Sequence, residues 1–155
     1  MEVQRLQSVI EIAIKNEEEA RVFYLGLYDL VKDALAKETL KFLAGEELAH
    51  KEFLQAYLKG EKKLVALGMD EPIDYHVAQY AAKPDPKKNM KSSDVYLVAA
   101  HREWNSYKFY TGLAEAQPAG EVKEMLLAMA NQELKHKEKV EYLYSNTAFP
   151  QTAGG

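Results

Sequence analysis

An all-α protein is expected, a four-helix bundle of two helical hairpins joined by a long crossover, and three observations predict it. Apolar residues recur alternately three and four positions apart over four long stretches, which is the spacing of a helix seam. Ala, Leu, Glu and Lys dominate the composition and favour helix over strand. The second half of the chain also repeats the first, without a gap, at an offset of 86 residues. Glu17, Phe23, Tyr24, Gly26 and Leu27 return as Glu103, Phe109, Tyr110, Gly112 and Leu113, and Glu47, Leu48, His50, Lys51 and Glu52 return as Glu133, Leu134, His136, Lys137 and Glu138. A duplicated hairpin implies a pseudo-two-fold bundle whose site draws on equivalent positions of both halves.

The first helix is read from about Val3 to Val31, with Leu6, Ile10, Ala13, Glu17, Ala20, Tyr24, Leu27 and Val31 on its seam. The second, roughly Ala34 to Lys59, carries Leu40, Leu43, Glu47, His50, Leu54 and Tyr57. From Gly60 to Ser93 the periodicity weakens, and the prolines at 72, 84 and 86 with "KPDPKKNMKSS" mark a largely irregular crossover. A short helix is read within it near "DYHVAQYAA". Ser92 or Ser93 is placed to cap the third helix, with Asp94 in its first turn. That helix carries Tyr96, Ala99, Glu103, Ser106, Tyr110 and Leu113 and ends at "QPAG". The fourth, from about Ala119 to Tyr144, carries Leu126, Met129, Glu133, His136, Val140 and Leu143. The domain is thus read as residues 1–145, with the crossover over about 60–93 and residues 146–155 as a flexible tail.

The bulk properties exclude several functions. A chain of 155 residues supports one core, and a net charge of −4 argues against nucleic acid as a partner, which requires a basic face. With no cysteine, disulfides, thiolate zinc, thiol catalysis and a four-cysteine iron site are all excluded within this chain. Nowhere do about 18 apolar residues run together, so no membrane partner is expected. "MEVQRLQSVI" carries charges at Glu2 and Arg5 and no signal-type apolar run, so a cytoplasmic location is expected.

Six polar residues interrupt the seams. Glu17 and Glu47 are 30 residues apart across a turn near Lys32 and Asp33, so each lies about 15 residues, roughly 22 Å, from that turn and the two come level. The same arithmetic brings Glu103 level with Glu133 across Pro118. In "EELAHKE" and "QELKHKE", Glu47 with His50 and Glu133 with His136 are spaced i, i+3 and project to one side. Four carboxylates in a water-poor interior are strongly unfavourable unless neutralised, and two divalent cations balance four negative charges while imidazoles add donors without charge. Mixed oxygen and nitrogen donors suit iron or manganese. Glu18, Glu19, Glu46, Glu52 and Glu138 lie off the seams and read as solvated charges, with Glu46 also able to orient a ligand. His76 and His101 read as bystanders, and the sequence does not decide what Trp104 packs against.

"EEEARVFY", its echo "EWNSYKFY" and the two Glu-x-x-His motifs make the chain, from about Val3 to Ser145, resemble the rubrerythrin-like branch of the ferritin-like di-iron carboxylate family. The resemblance implies a ferritin-like bundle in which Glu17, Glu47, His50, Glu103, Glu133 and His136 hold two Fe ions, with Mn or a mixed Fe/Mn pair as the other occupants. It implies bridging roles for Glu47 and Glu133, and hydrogen bonds from Tyr24 and Tyr110 to ligand carboxylates. It also implies an oxidoreductase that reacts with hydrogen peroxide or dioxygen, as peroxidase or ferroxidase, and a homodimer. The chain departs from the family at Ser106, where rubrerythrins carry a further carboxylate, and in lacking the cysteine-bearing rubredoxin domain. A peroxidase of this kind therefore needs an external, rubredoxin-like electron donor. The same six residues suit a second reading, a non-catalytic iron-binding or storage module.

Overall fold

The computed structural model describes residues 2–60, 83–84, 86 and 90–148. Among them are four long helices and no β-strand: α1 (Glu2–Leu30), α2 (Ala34–Leu58), α3 (Ser92–Glu115) and α4 (Glu121–Ala148). Most of the crossover, including the short helix expected near residues 74–82, and residues 149–155 of the expected tail lie outside the described residues. Within that tail, residues 146–148 continue α4, which runs one turn beyond Tyr144.

The first turn is tight because Asp33 caps α2, its carboxylate accepting the Ala36 amide proton at 2.9 Å. Lys37 ties the same turn to α1 by donating to the Tyr28 carbonyl at 2.7 Å with its Nζ 4.0 Å from the centre of the Tyr28 ring. At the far end of α2, Gly60 takes φ +76 and returns its amide proton to the Tyr57 carbonyl, a left-handed stop that a side chain would strain. The expected serine cap of α3 is not formed. Ser92 is already helical, and Lys91 occupies the cap position in extended conformation with no side-chain cap bond. Asp94 does lie in the first turn, where its charge favours the helix N-terminus.

Among the described residues the apolar core falls into two clusters. One gathers Tyr24, Leu27, Val31, Leu40, Leu43, Tyr96, Ala99 and Val140, from the C-terminal half of α1, the first half of α2, the start of α3 and the end of α4. The other gathers Ile10, Ala13, Leu54, Tyr110, Met125, Leu126 and Met129 from the opposite ends of the same helices. Each helix therefore contributes to both ends of the bundle, and the hairpins point in opposite directions. The chain leaves α2 at one end and enters α3 at the other, where Met90 bridges Val31 beside the first turn. Between the clusters lies a layer of buried polar residues.

Candidate metal centre

The seam places one glutamate at mid-height on each helix, and the structure brings all six of the expected residues into that layer. Glu17, Glu47 and Glu133 are fully buried, and Glu103, His50 and His136 nearly so. Two four-residue groups have donor atoms mutually within 4.8 Å: Glu17, Glu47, His50 and Glu133, and Glu47, Glu103, Glu133 and His136. Glu47 and Glu133 belong to both. The halves are related by the internal repeat: His50 Nδ1 lies 3.3 Å from Glu133 Oε1, and His136 Nδ1 lies 3.4 Å from Glu47 Oε1. The two imidazoles stand nearly parallel, 12° apart in plane and 5.4 Å between centres.

These approaches are not hydrogen bonds. Eight of the ten buried side-chain atoms without a hydrogen-bond partner among the described residues belong to these six side chains, including both oxygens of Glu47 and of Glu133 and Nδ1 of both histidines. Buried polar atoms are ordinarily satisfied, so such a concentration calls for a partner. Donor atoms each about 2.1 Å from one ion sit about 3.0–3.5 Å from each other, so spacings of 3.3 and 3.4 Å fit a cation between them. The donor set fits metal ions.

Two tyrosines reach across the bundle. Tyr24 on α1 donates its hydroxyl proton to Glu103 Oε1 on α3, and Tyr110 on α3 donates to Glu17 Oε1 on α1, both at 2.5 Å. Each bond fixes one oxygen and leaves Oε2 of the same carboxylate unpaired in the layer. Burial, then the charge of the accepting glutamate, pushes both phenols well above their ordinary value, so they stay protonated donors.

The carboxyls divide into two pairs. Burial pushes Glu47 and Glu133 well above the usual range, and the negative charges of Glu17 and Glu103 add to the shift. Burial also raises Glu17 and Glu103, but contacts with the neighbouring carboxyl, imidazole and tyrosine outweigh it, lowering Glu17 and holding Glu103 at about 2. For His50 burial lowers the value, while the close approach of the Glu17 carboxylate, 3.6 Å from Nδ1, and its negative charge more than offset it. Without an ion, the layer disfavours negative charge most at Glu47 and Glu133.

Sequence reasoning missed two neighbouring networks. Arg102 donates to Ser106 Oγ at 2.8 Å and to the Asn16 carbonyl at 3.3 Å, while Asn16 Nδ2 approaches Ser106 Oγ at 3.5 Å. Asn16 and Arg102 sit one step off their seams, where periodicity gives no signal; their positions just before Glu17 and Glu103 were the available hint. The second is a fully buried Lys137–Glu141 ion pair at 3.0 Å on α4. An i, i+4 pair of opposite charges reads as a surface feature, yet Trp104 lies beside it, with Lys137 Nζ 5.2 Å from the ring centre. That contact, with stacking on Tyr107 at 5.3 Å, answers where Trp104 packs.

Of the charges read as solvated, Glu18 pairs with Lys51 at 3.1 Å and Arg21 at 3.6 Å, and Glu19 pairs with Lys15. Glu46 is half-buried, and its carboxylate comes within 4.8 Å of a donor nitrogen on each of His50 and His136. His76 lies outside the described residues. No described helix is long and apolar enough to cross a membrane.

Comparison with family models, curated proteins and solved structures finds no match to the chain. Fold and site therefore define it on their own terms: among the described residues it is all-helical, with four long helices and buried Glu and His groups able to hold metal ions.

Proposed function

We propose that the chain is a non-haem di-iron oxidoreductase of rubrerythrin or ferritin-like type, which binds two irons and reacts with hydrogen peroxide or dioxygen. The observation that carries this reading is that Glu47 and Glu133 belong to both donor groups, while Glu17 with His50 and Glu103 with His136 complete one group each. That is the arrangement expected of two ions bridged by two carboxylates. Four glutamates balance two divalent charges, and the oxygen-rich set with one imidazole per ion suits iron, with manganese or a mixed pair satisfying the same donors. Bound iron would supply the electrons that reduce the oxidant.

The residues of the chain do the rest. Glu47 and Glu133 would be shared between the two ions, Tyr24 and Tyr110 hold the outer carboxylates in place, and the apolar clusters on either side keep bulk water away. With no cysteine available, electrons return from an external rubredoxin-like donor. A homodimer follows from the resemblance.

The test is an anaerobic Fe(II) titration followed by separate pulses of peroxide and dioxygen, with absorbance and iron stoichiometry recorded. A plateau at two irons per chain and faster oxidation by peroxide support the proposal. Absence of tight iron binding overturns it. Two bound irons that neither oxidant consumes, in a closed shell on sizing, point instead to storage.

A further inference from the structure

The expected ligands are sealed inside the bundle, so an ion reaching them must first meet a side chain that touches both solvent and the cluster. Glu46 does so. It is half-buried, and its carboxylate lies within 4.8 Å of a donor nitrogen on each of His50 and His136. A carboxylate and two imidazoles form a three-donor set for a divalent ion of the first transition row. Both histidines are more than nine-tenths buried, and Nδ1 of each lacks a hydrogen-bond partner. Each imidazole is thus within reach of Glu46 and also of a central carboxylate, Glu133 for His50 and Glu47 for His136. The internal repeat is broken at this position, since the counterpart of Glu46 is the neutral Gln132. An amide carries no charge that could neutralise a cation, so only the first copy of this position offers one.

We propose that Glu46, His50 and His136 form a transient metal site through which divalent ions pass to and from the buried centre. The inference rests on the two-metal reading. An ion exchanges water for the Glu46 carboxylate, gains the two imidazole nitrogens, and is handed inward as the central glutamates replace Glu46.

Anaerobic stopped-flow uptake of Co²⁺, followed by its d–d absorbance, tests this on the full chain with Glu46→Gln and Glu46→Asp variants. The glutamine makes position 46 match position 132. Uptake by Glu46→Gln is expected to slow about tenfold or more, the scale of a lost steering charge. Release to a chelator slows by the same factor, so two Co²⁺ still bind with unchanged affinity, and Glu46→Asp recovers part of the rate. Uptake and release at wild-type rates in Glu46→Gln overturn the proposal. So does a weakened affinity with faster release, which assigns Glu46 only the role of steadying the histidines. If the unaltered protein binds no Co²⁺, the two-metal reading falls as well; normal binding with unchanged rates removes only the passage.

Discussion

Tyr24 and Tyr110 each donate one hydroxyl proton, and each donates it across the bundle to the opposite hairpin's glutamate. Replacing either by Phe keeps the ring in its apolar cluster but leaves a buried carboxylate oxygen without its donor. Metal affinity is expected to fall by about 10–100-fold in each single variant, the usual scale for losing a partner of a ligand. The two losses should be similar because the repeat makes the sites equivalent, and competition with a chromophoric chelator measures both. The sequence placed both tyrosines two turns beyond a glutamate on the same seam but did not show which carboxylate each would hold. That choice depends on α1 and α3 running antiparallel, and seam spacing fixes height and face, not helix direction. The raised carboxyls give a second prediction. Glu47 and Glu133 hold their protons to higher pH than ordinary carboxyls in the metal-free centre and must lose them to act as ligands, so loading divalent ions in mildly acidic solution should release protons. Affinity should therefore weaken as pH falls. Calorimetry in buffers of different ionisation enthalpy counts the protons; a count of zero would mean the bridging carboxyls were already ionised.

At the scale of the elements, the duplicated hairpins keep the centre and differ beside it. Glu18, Arg21 and Lys51 form an ion-pair cluster in the first half, and the corresponding positions in the second hold Trp104, Tyr107 and Lys137. Lys51 keeps contact with water, whereas Lys137 is fully buried and paired with Glu141. Lys137→Met leaves the Glu141 carboxylate buried without that partner and is expected to cost about 3–5 kcal/mol. Adding Glu141→Leu should recover much of the loss, and thermal unfolding of the single and double variants measures the difference. Gly26 and Gly112 occupy equivalent exposed helix positions, and a Cβ built at either meets nothing within 4 Å. Changing each to Ala should stabilise the fold by about 0.5–1 kcal/mol through helix propensity alone. The helices themselves were legible because their seams are long and regular: every seam residue read from Ile10 to Val31, just past the end of α1, is buried. Their ends were less so. Ser92 and Ser93 carried a capping signature, but both lie inside α3, which begins one residue earlier than a cap at Ser92 requires.

The described bundle has two apolar clusters separated by a layer of charge, and the stability of the molecule should depend on what neutralises that layer. The position of the layer was legible, since four seam glutamates at matching heights can meet only at mid-bundle. Its protonation was not, because that depends on which carboxylates lie against tyrosine and imidazole. Glu47 and Glu133 have raised values in the folded protein, so their contribution is full below the ordinary carboxyl value and is lost as pH rises through the raised values. His50, also raised, changes in the same direction. Glu17 and Glu103 have lowered values, so their contribution is present above the ordinary value of 4.5 and is lost as pH falls toward about 2. Metal-free protein should therefore be most stable in mildly acidic solution and lose stability as pH rises above the ordinary carboxyl value of 4.5, as the central carboxyls are forced to ionise without a counter-charge. Divalent ions supply that charge and compete with protons for the same oxygens, so their stabilising effect should grow over the same interval. Thermal unfolding across this range, with chelator and with Fe(II) or Co²⁺, should give two curves that diverge as pH increases. Parallel curves would mean that the six side chains do not exchange protons for metal, and that the unpaired atoms of the central layer are satisfied in some other way.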